Sequence, residues 1–130
     1  MQNVIIDTDV AIDYLRGIQY AQELIIPLWE GNTAYLSVLS LYELYAGMRE
    51  NEKEDTTNFI NACNIDQVTQ GIAVKAGELY RHYRKSGITL DSIDCLIAAT
   101  AMIKKYKVAT RNVKHYPDER LHYKSHLLHK

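Results

Sequence analysis

The sequence predicts an α/β fold whose sheet is mostly parallel, and three observations lead there. A short, wholly apolar run, VII at 4–6, reads as a strand buried on both faces. Two more strand-like runs follow, TAYLS at 33–37 and KVAT at 107–110. The stretches between them carry apolar residues at helical spacing, and strand–helix alternation needs crossovers that leave strands parallel.

Each element has its own signal. Residues 9–16 read as a helix stopped by Gly17. Residues 19–30 place Ala21, Leu24, Ile25 and Leu28 on one helical face, and Pro27 is expected to disturb or shorten that helix. Gly31-Asn32 is a turn before the second strand. Ser40 reads as the N-cap of a helix reaching about Arg49, with Leu41, Leu44 and Tyr45 on one face. Residues 53–63 make another helix, charged at its start. Residues 70–85 are strongly amphipathic through Ile72, Ala76, Leu79, Tyr80 and Tyr83, and Gly87 ends them. Asp91 to Lys105 is the most apolar helix, and the last twenty residues are irregular, with a short strand around Leu121–Tyr123.

A length of 130 residues suits one domain, 1–130, and a hydrophobic content of 47% excludes a disordered chain. The net charge of -1 hides an asymmetry. Residues 1–100 hold seven Lys/Arg against fourteen Asp/Glu, whereas 101–130 hold eight against two, with four of the five histidines. Such a chain can hold a cation and attract a polyanion, or it simply has an uneven solvated surface. Cys63 and Cys95 lie in no metal-ligand spacing, so both are expected to be reduced residues in or near the core of a cytoplasmic protein. The N-terminus carries no signal-peptide pattern, and the longest apolar run, CLIAATAMI at 95–103, is too short to cross a bilayer.

In parallel α/β sheets, ligands bind outside the carboxyl ends of the strands. Asp7 closes the first strand, Glu43 follows the second, and Asp94 opens the apolar helix. Capping could explain each acid singly. SLYE matches a capping box from Ser40 to Glu43, and DSID places Asp91 at an N-cap with Asp94 in the first turn. Capping does not explain why three acids should share one edge. No Lys or Arg occurs from 86 to 103 to neutralise Asp94. A hard divalent cation, Mg²⁺ or Mn²⁺, accounts for all three. Asp9 is a candidate outer ligand, and Asp13, a turn later, is expected to pair with Arg16 or face water.

Three segments together carry a family resemblance: IIDTDVAIDYLRG, SVLSLYELYAGM and LDSIDCLIAATAMIKKYKVATRNVKHY. In order and spacing the chain resembles the PIN-domain ribonucleases, specifically the VapC-type toxins of toxin–antitoxin pairs. The resemblance implies a PIN-like three-layer α/β/α sandwich with about four to five strands. It implies an Mg²⁺- or Mn²⁺-dependent endoribonuclease, with Asp7, Glu43 and Asp94 as catalytic metal ligands. RNA is then the substrate, a cognate antitoxin blocks the site, and the protein is a homodimer or part of a larger toxin–antitoxin assembly. Thr110-Arg111-Asn112 matches the family's T-R-D/N motif, with the neutral Asn112 where an acid is common and His115 where many relatives carry another. Thr110, Asn112, Asp9 and Asp91 are then candidates to position a second metal, water or phosphate. Arg111 and Lys114 are candidate phosphate contacts, as are Lys104, Lys105 and Lys107, which otherwise read as an exposed helix end.

Two rivals stand beside this. IIDTDV also fits a haloacid-dehalogenase-like phosphatase, in which Asp7 would be the nucleophile and Asp9 the acid/base. Glu43 has no role there. A non-catalytic PIN-like module binding RNA or protein is the second.

Overall fold

A computed structural model describes residues 1–128. The chain runs β1 (Val4–Ile6), α1 (Thr8–Leu15), α2 (Gln19–Glu30), β2 (Ala34–Ser37), α3 (Val38–Gly47), α4 (Lys53–Ala62), β3 (Asn64–Asp66), α5 (Gln70–Lys85), α6 (Ser92–Lys104) and β4 (Lys107–Ala109). Single 3-10 turns lie at Glu50–Glu52, Val113–His115 and Glu119–Leu121. The strands form one sheet in the order β3-β2-β1-β4, with every pairing parallel.

The pleat sorts the core into two sides. Val4, Ile6, Leu36 and Ala109 point into a cluster with Val10, Leu24, Ile25, Leu44 and Phe59, from α1–α4. Ile5 and Val108 point the other way, to Ile97, Ala98, Ala101 and Tyr116. Helix α5 then covers α6, with Ile72 and Ala76 against Cys95 and Ala99. Three layers result, as the resemblance implied. Each fully buried Ile or Leu contributes about 1.5–3 kcal/mol of transfer free energy, so this double-sided burial is what holds so short a set of strands together.

The strand order places the site. From β1 the sheet grows through β2 to β3 on one side, and the crossover through α5 and α6 returns the chain to β1's other side as β4. The order therefore reverses between β1 and β4, and a crevice at their carboxyl ends is the expected ligand position. Asp7 and Thr110 are the residues that follow those two strands.

Several expectations are corrected. Helix α2 runs through Pro27 to Glu30; burial of Leu24, Ile25 and Leu28 outweighs the one lost backbone bond. The N-cap of α3 is Ser37, whose hydroxyl accepts from the Leu39 amide at 3.2 Å; Ser40 lies inside the helix and is fully buried. Residues 64–66, which carry no assigned element from sequence alone, form an edge strand. The strand expected around Leu121–Tyr123 is reduced to one parallel bridge, Val108 to His122. Among the described residues, no helix is long and apolar enough to cross a membrane. Both cysteines are free, Cys95 buried and Cys63 half-buried with Trp29 Nε1 donating to its sulfur at 3.2 Å.

Candidate active site

Asp7 occupies the N-cap position of α1 in extended conformation, yet its side chain makes no capping bond. Its backbone carries that role, since Asp7 O accepts from the amides of Val10 and Ala11. The carboxylate is thereby free for other partners. Thr110 Oγ1 donates to Asp7 Oδ2 at 2.8 Å, and the Tyr116 hydroxyl lies 3.3 Å from Asp7 Oδ1. The same hydroxyl is 3.5 Å from Asp94 Oδ1. One buried tyrosine, 1% exposed, thus links the acid after β1 to the acid opening α6.

Glu43 arrives from α3. The Thr8 hydroxyl donates to Glu43 Oε1 at 2.6 Å and lies 2.9 Å from Ser40 Oγ. The capping-box role read for Glu43 from the sequence is therefore replaced by a tertiary one. Asp91 stands at the N-cap of α6 but makes no side-chain cap bond, so its expected capping role is corrected as well. Asp9 is exposed and accepts from Asn112 Nδ2. Asp13 does not pair with Arg16. It accepts from the Tyr20 hydroxyl, and the Arg111 guanidinium stacks over the Tyr20 ring at 4.7 Å.

The electrostatics show a cluster short of positive charge. Burial pushes the Asp7 carboxyl up, the Thr110 hydrogen bond opposes this, and Asp9 adds to it. Asp94 is pushed up to about 6, first by burial and then by the charge of Asp7, with Asp91 and Glu43 adding to it. His115 alone opposes: its Nδ1 is 3.2 Å from Asp94 Oδ2. Among the described residues no Lys or Arg forms an ion pair with Asp7, Glu43 or Asp94. Burial, followed by the charges of Asp7 and Asp94, also pushes the Tyr116 hydroxyl well above its ordinary range, so it remains a neutral donor.

The donors suit a hard divalent cation, because they are carboxylate oxygens in mutual repulsion, a state that positive charge relieves. Among the described residues no three His, Cys, Asp or Glu side chains stand close enough to enclose an ion by themselves. The arrangement fits an ion that keeps part of its water shell, as Mg²⁺ does.

Other predicted residues fall outside this cluster. Lys104 and Lys105 end α6, roughly 15 Å along the helix from Asp94 at 1.5 Å per residue. Lys107 begins β4, at the opposite end of the sheet from Asp7. Their tips are occupied there, Lys104 beside Asp66 at 3.9 Å and Lys107 on the Arg120 carbonyl. Arg111 and Lys114 do lie on the carboxyl side of β4, and both are exposed. Thr8 and Tyr116 were missed by sequence reasoning. For Thr8, the DTD spacing was a usable signal; for Tyr116, one of ten tyrosines, there was none.

Comparison with known proteins bears on the family and the fold. Ribonuclease VapC19 of Mycobacterium tuberculosis is 40% identical over 114 residues, covering 87% of this chain and 91% of that protein. Ribonuclease VapC10 of the same organism is 34% identical, covering 88% and 86%. Among solved structures, VapBC2 from Rickettsia felis bound to a promoter DNA fragment superposes with a TM-score of 0.82 at 19% identity, over 95% of this chain and 98% of that one. FitAcB from Neisseria gonorrhoeae gives 0.80 at 20% identity, over 98% and 99%. At those identities the structures speak for the fold alone. The PIN domain family model matches residues 4–116. That span takes in the strand-end acids, both faces of the sheet and the last segment of the site, and the chain belongs to the PIN-domain family.

Proposed function

We propose that this protein is a metal-dependent endoribonuclease acting as the toxin of a toxin–antitoxin pair, with Asp7, Glu43 and Asp94 holding one Mg²⁺ or Mn²⁺ ion. The observation that carries the reading is the convergence of three acids, from distant segments, on one sheet edge where Asp94 is raised to about 6 and, among the described residues, no Lys or Arg pairs with any of them. Support comes from relatives named as VapC ribonucleases at 34% and 40% identity over most of their length. The fold is one that a solved toxin–antitoxin complex from Klebsiella pneumoniae also has.

A bound divalent cation would acidify a water and offset charge on the scissile phosphate. The chain's own residues do the rest. Thr110 and Tyr116 fix the orientation of Asp7, and Thr8 fixes that of Glu43. Asn112 is tied to Asp9, and its amide donates to Thr110 Oγ1 at 2.9 Å, which sets the loop after β4 against the start of α1. Arg111, stacked on Tyr20, presents a guanidinium to an RNA phosphate, and Lys114 adds a second charge. The partners on this reading are RNA, an antitoxin that covers the cleft and a second copy of the chain, in the cytoplasm.

The phosphatase rival loses its footing, because Thr8 serves Glu43 and Asp9 is engaged by Asn112. The test is RNA cleavage and Mg²⁺ and Mn²⁺ titration of the wild type against Asp94→Asn. Cleavage and metal binding are expected in the wild type and lost in the variant. Full cleavage by the variant, with circular dichroism unchanged, overturns the reading. Metal binding without RNA cleavage leaves a non-catalytic module instead.

A further inference from the structure

We infer that His115 supplies a nitrogen donor to the ion held at Asp94, so that the site takes a first-row transition-metal cation in preference to Mg²⁺. This rests on the proposed metal-holding role of the carboxylates and adds a ligand to it. His115 Nδ1 lies 3.2 Å from Asp94 Oδ2. Two neighbouring ligands on one six-coordinate ion, bonded at about 2.1 Å, stand roughly 3 Å apart. A direct hydrogen bond between the two groups has the same separation, and the titrations below distinguish the two roles.

The backbone that carries His115 is pinned. The Asn112 amide donates to Thr110 Oγ1 at 2.9 Å, and the His115 amide donates to Asn112 O at 2.9 Å. The Tyr116 amide donates to Val113 O at 3.1 Å, and the Tyr116 ring is buried at 1% exposure. The imidazole itself is 53% exposed, so an ion and its waters can reach it. The charged groups bearing on Asp94 are Asp7, Asp91, Glu43 and His115, and His115 is the one that favours its ionised form.

The consequence is selectivity. Mg²⁺ takes oxygen ligands and gains little from an imidazole, whereas Co²⁺ and its neighbours bind imidazole well. A histidine that only hydrogen-bonds to Asp94 would tune both ions alike.

Calorimetry with Mg²⁺ and with Co²⁺, on the wild type and on His115→Asn, separates the two roles. We expect Co²⁺ affinity to fall about tenfold or more while Mg²⁺ affinity changes less than about twofold. The visible spectrum of the Co²⁺-loaded protein should also change in the variant, which a packing role would not produce. Equal losses for both ions, or no loss with an unchanged Co²⁺ spectrum, overturn the inference while leaving the carboxylate site standing. A wild type that binds neither ion overturns both the inference and the reading beneath it. His115→Gln, with circular dichroism on each variant, guards against an effect of misfolding.

Discussion

Replacing Asp94 by asparagine is expected to stabilise the metal-free protein while removing its activity. Asp94 is half-buried at the start of α6, and its carboxyl is raised from 3.8 to about 6, by burial and then by Asp7. The sign follows from linkage. Well below pH 3.8 the group is protonated in both folded and unfolded chains and has no effect. Between 3.8 and about 6 the unfolded carboxyl ionises first, so stability falls, and above 6 the penalty is fully present. The shift corresponds to about 3 kcal/mol if taken whole; solvent screening at a partly open carboxyl halves this to about 1.5 kcal/mol. For a chain of this length that is a rise in Tm of roughly 4–8 °C. The assay is thermal unfolding of wild type and Asp94→Asn in EDTA at pH 8 and at pH 4. A variant no more stable than wild type at pH 8, or equally stabilised at both values, refutes the electrostatic account of the cluster.

Three further outcomes are expected. Tyr116→Phe keeps the ring that fills the core but removes the hydroxyl between Asp7 and Asp94, so divalent-metal affinity should fall about tenfold with circular dichroism unchanged; unchanged affinity in calorimetry would show that the hydroxyl does not position the acids. Thr8→Val removes the donor to Glu43 and should lower the RNA cleavage rate about tenfold, read in a cleavage time course with saturating metal. Arg111→Ala should weaken RNA binding and reduce its salt dependence by about one counterion, whereas Lys107→Ala should do neither, which filter binding across a salt series measures.

The sequence made the acids legible because strand ends carry positional meaning. VII reads as buried, so the next residue, Asp7, must lie at a sheet edge, and α6 is so apolar that the acid in its first turn, Asp94, must sit near the core. What stayed hidden depends on tertiary neighbours. SLYE is a sound capping box locally, yet Ser37 starts the helix one turn earlier because β2 ends there, and Ser40 is drawn inward beside Thr8. The strand Asn64–Asp66 is short, half-buried and bears polar residues at both ends, so no periodicity marks it. Lys104, Lys105 and Lys107 looked close to the Thr110-Arg111-Asn112 motif in sequence. They precede or begin β4 rather than follow it, and one strand's length puts them at the other end of the sheet. Tyr116 had only its burial to distinguish it, and burial is not written in a single sequence.

The bond from Thr110 to Asp7 joins residues 103 positions apart, and Tyr116 reaches Asp7 across 109. The proposed site therefore cannot assemble until β4 and the turn after it have been made. Strands β1 and β2 and helices α1–α4 can gather while the chain is still being made, but β4 and the turn after it must emerge before Asp7 gains its partners. A nascent or truncated chain lacking residues 107–116 carries all three acids but not the hydroxyls that orient Asp7.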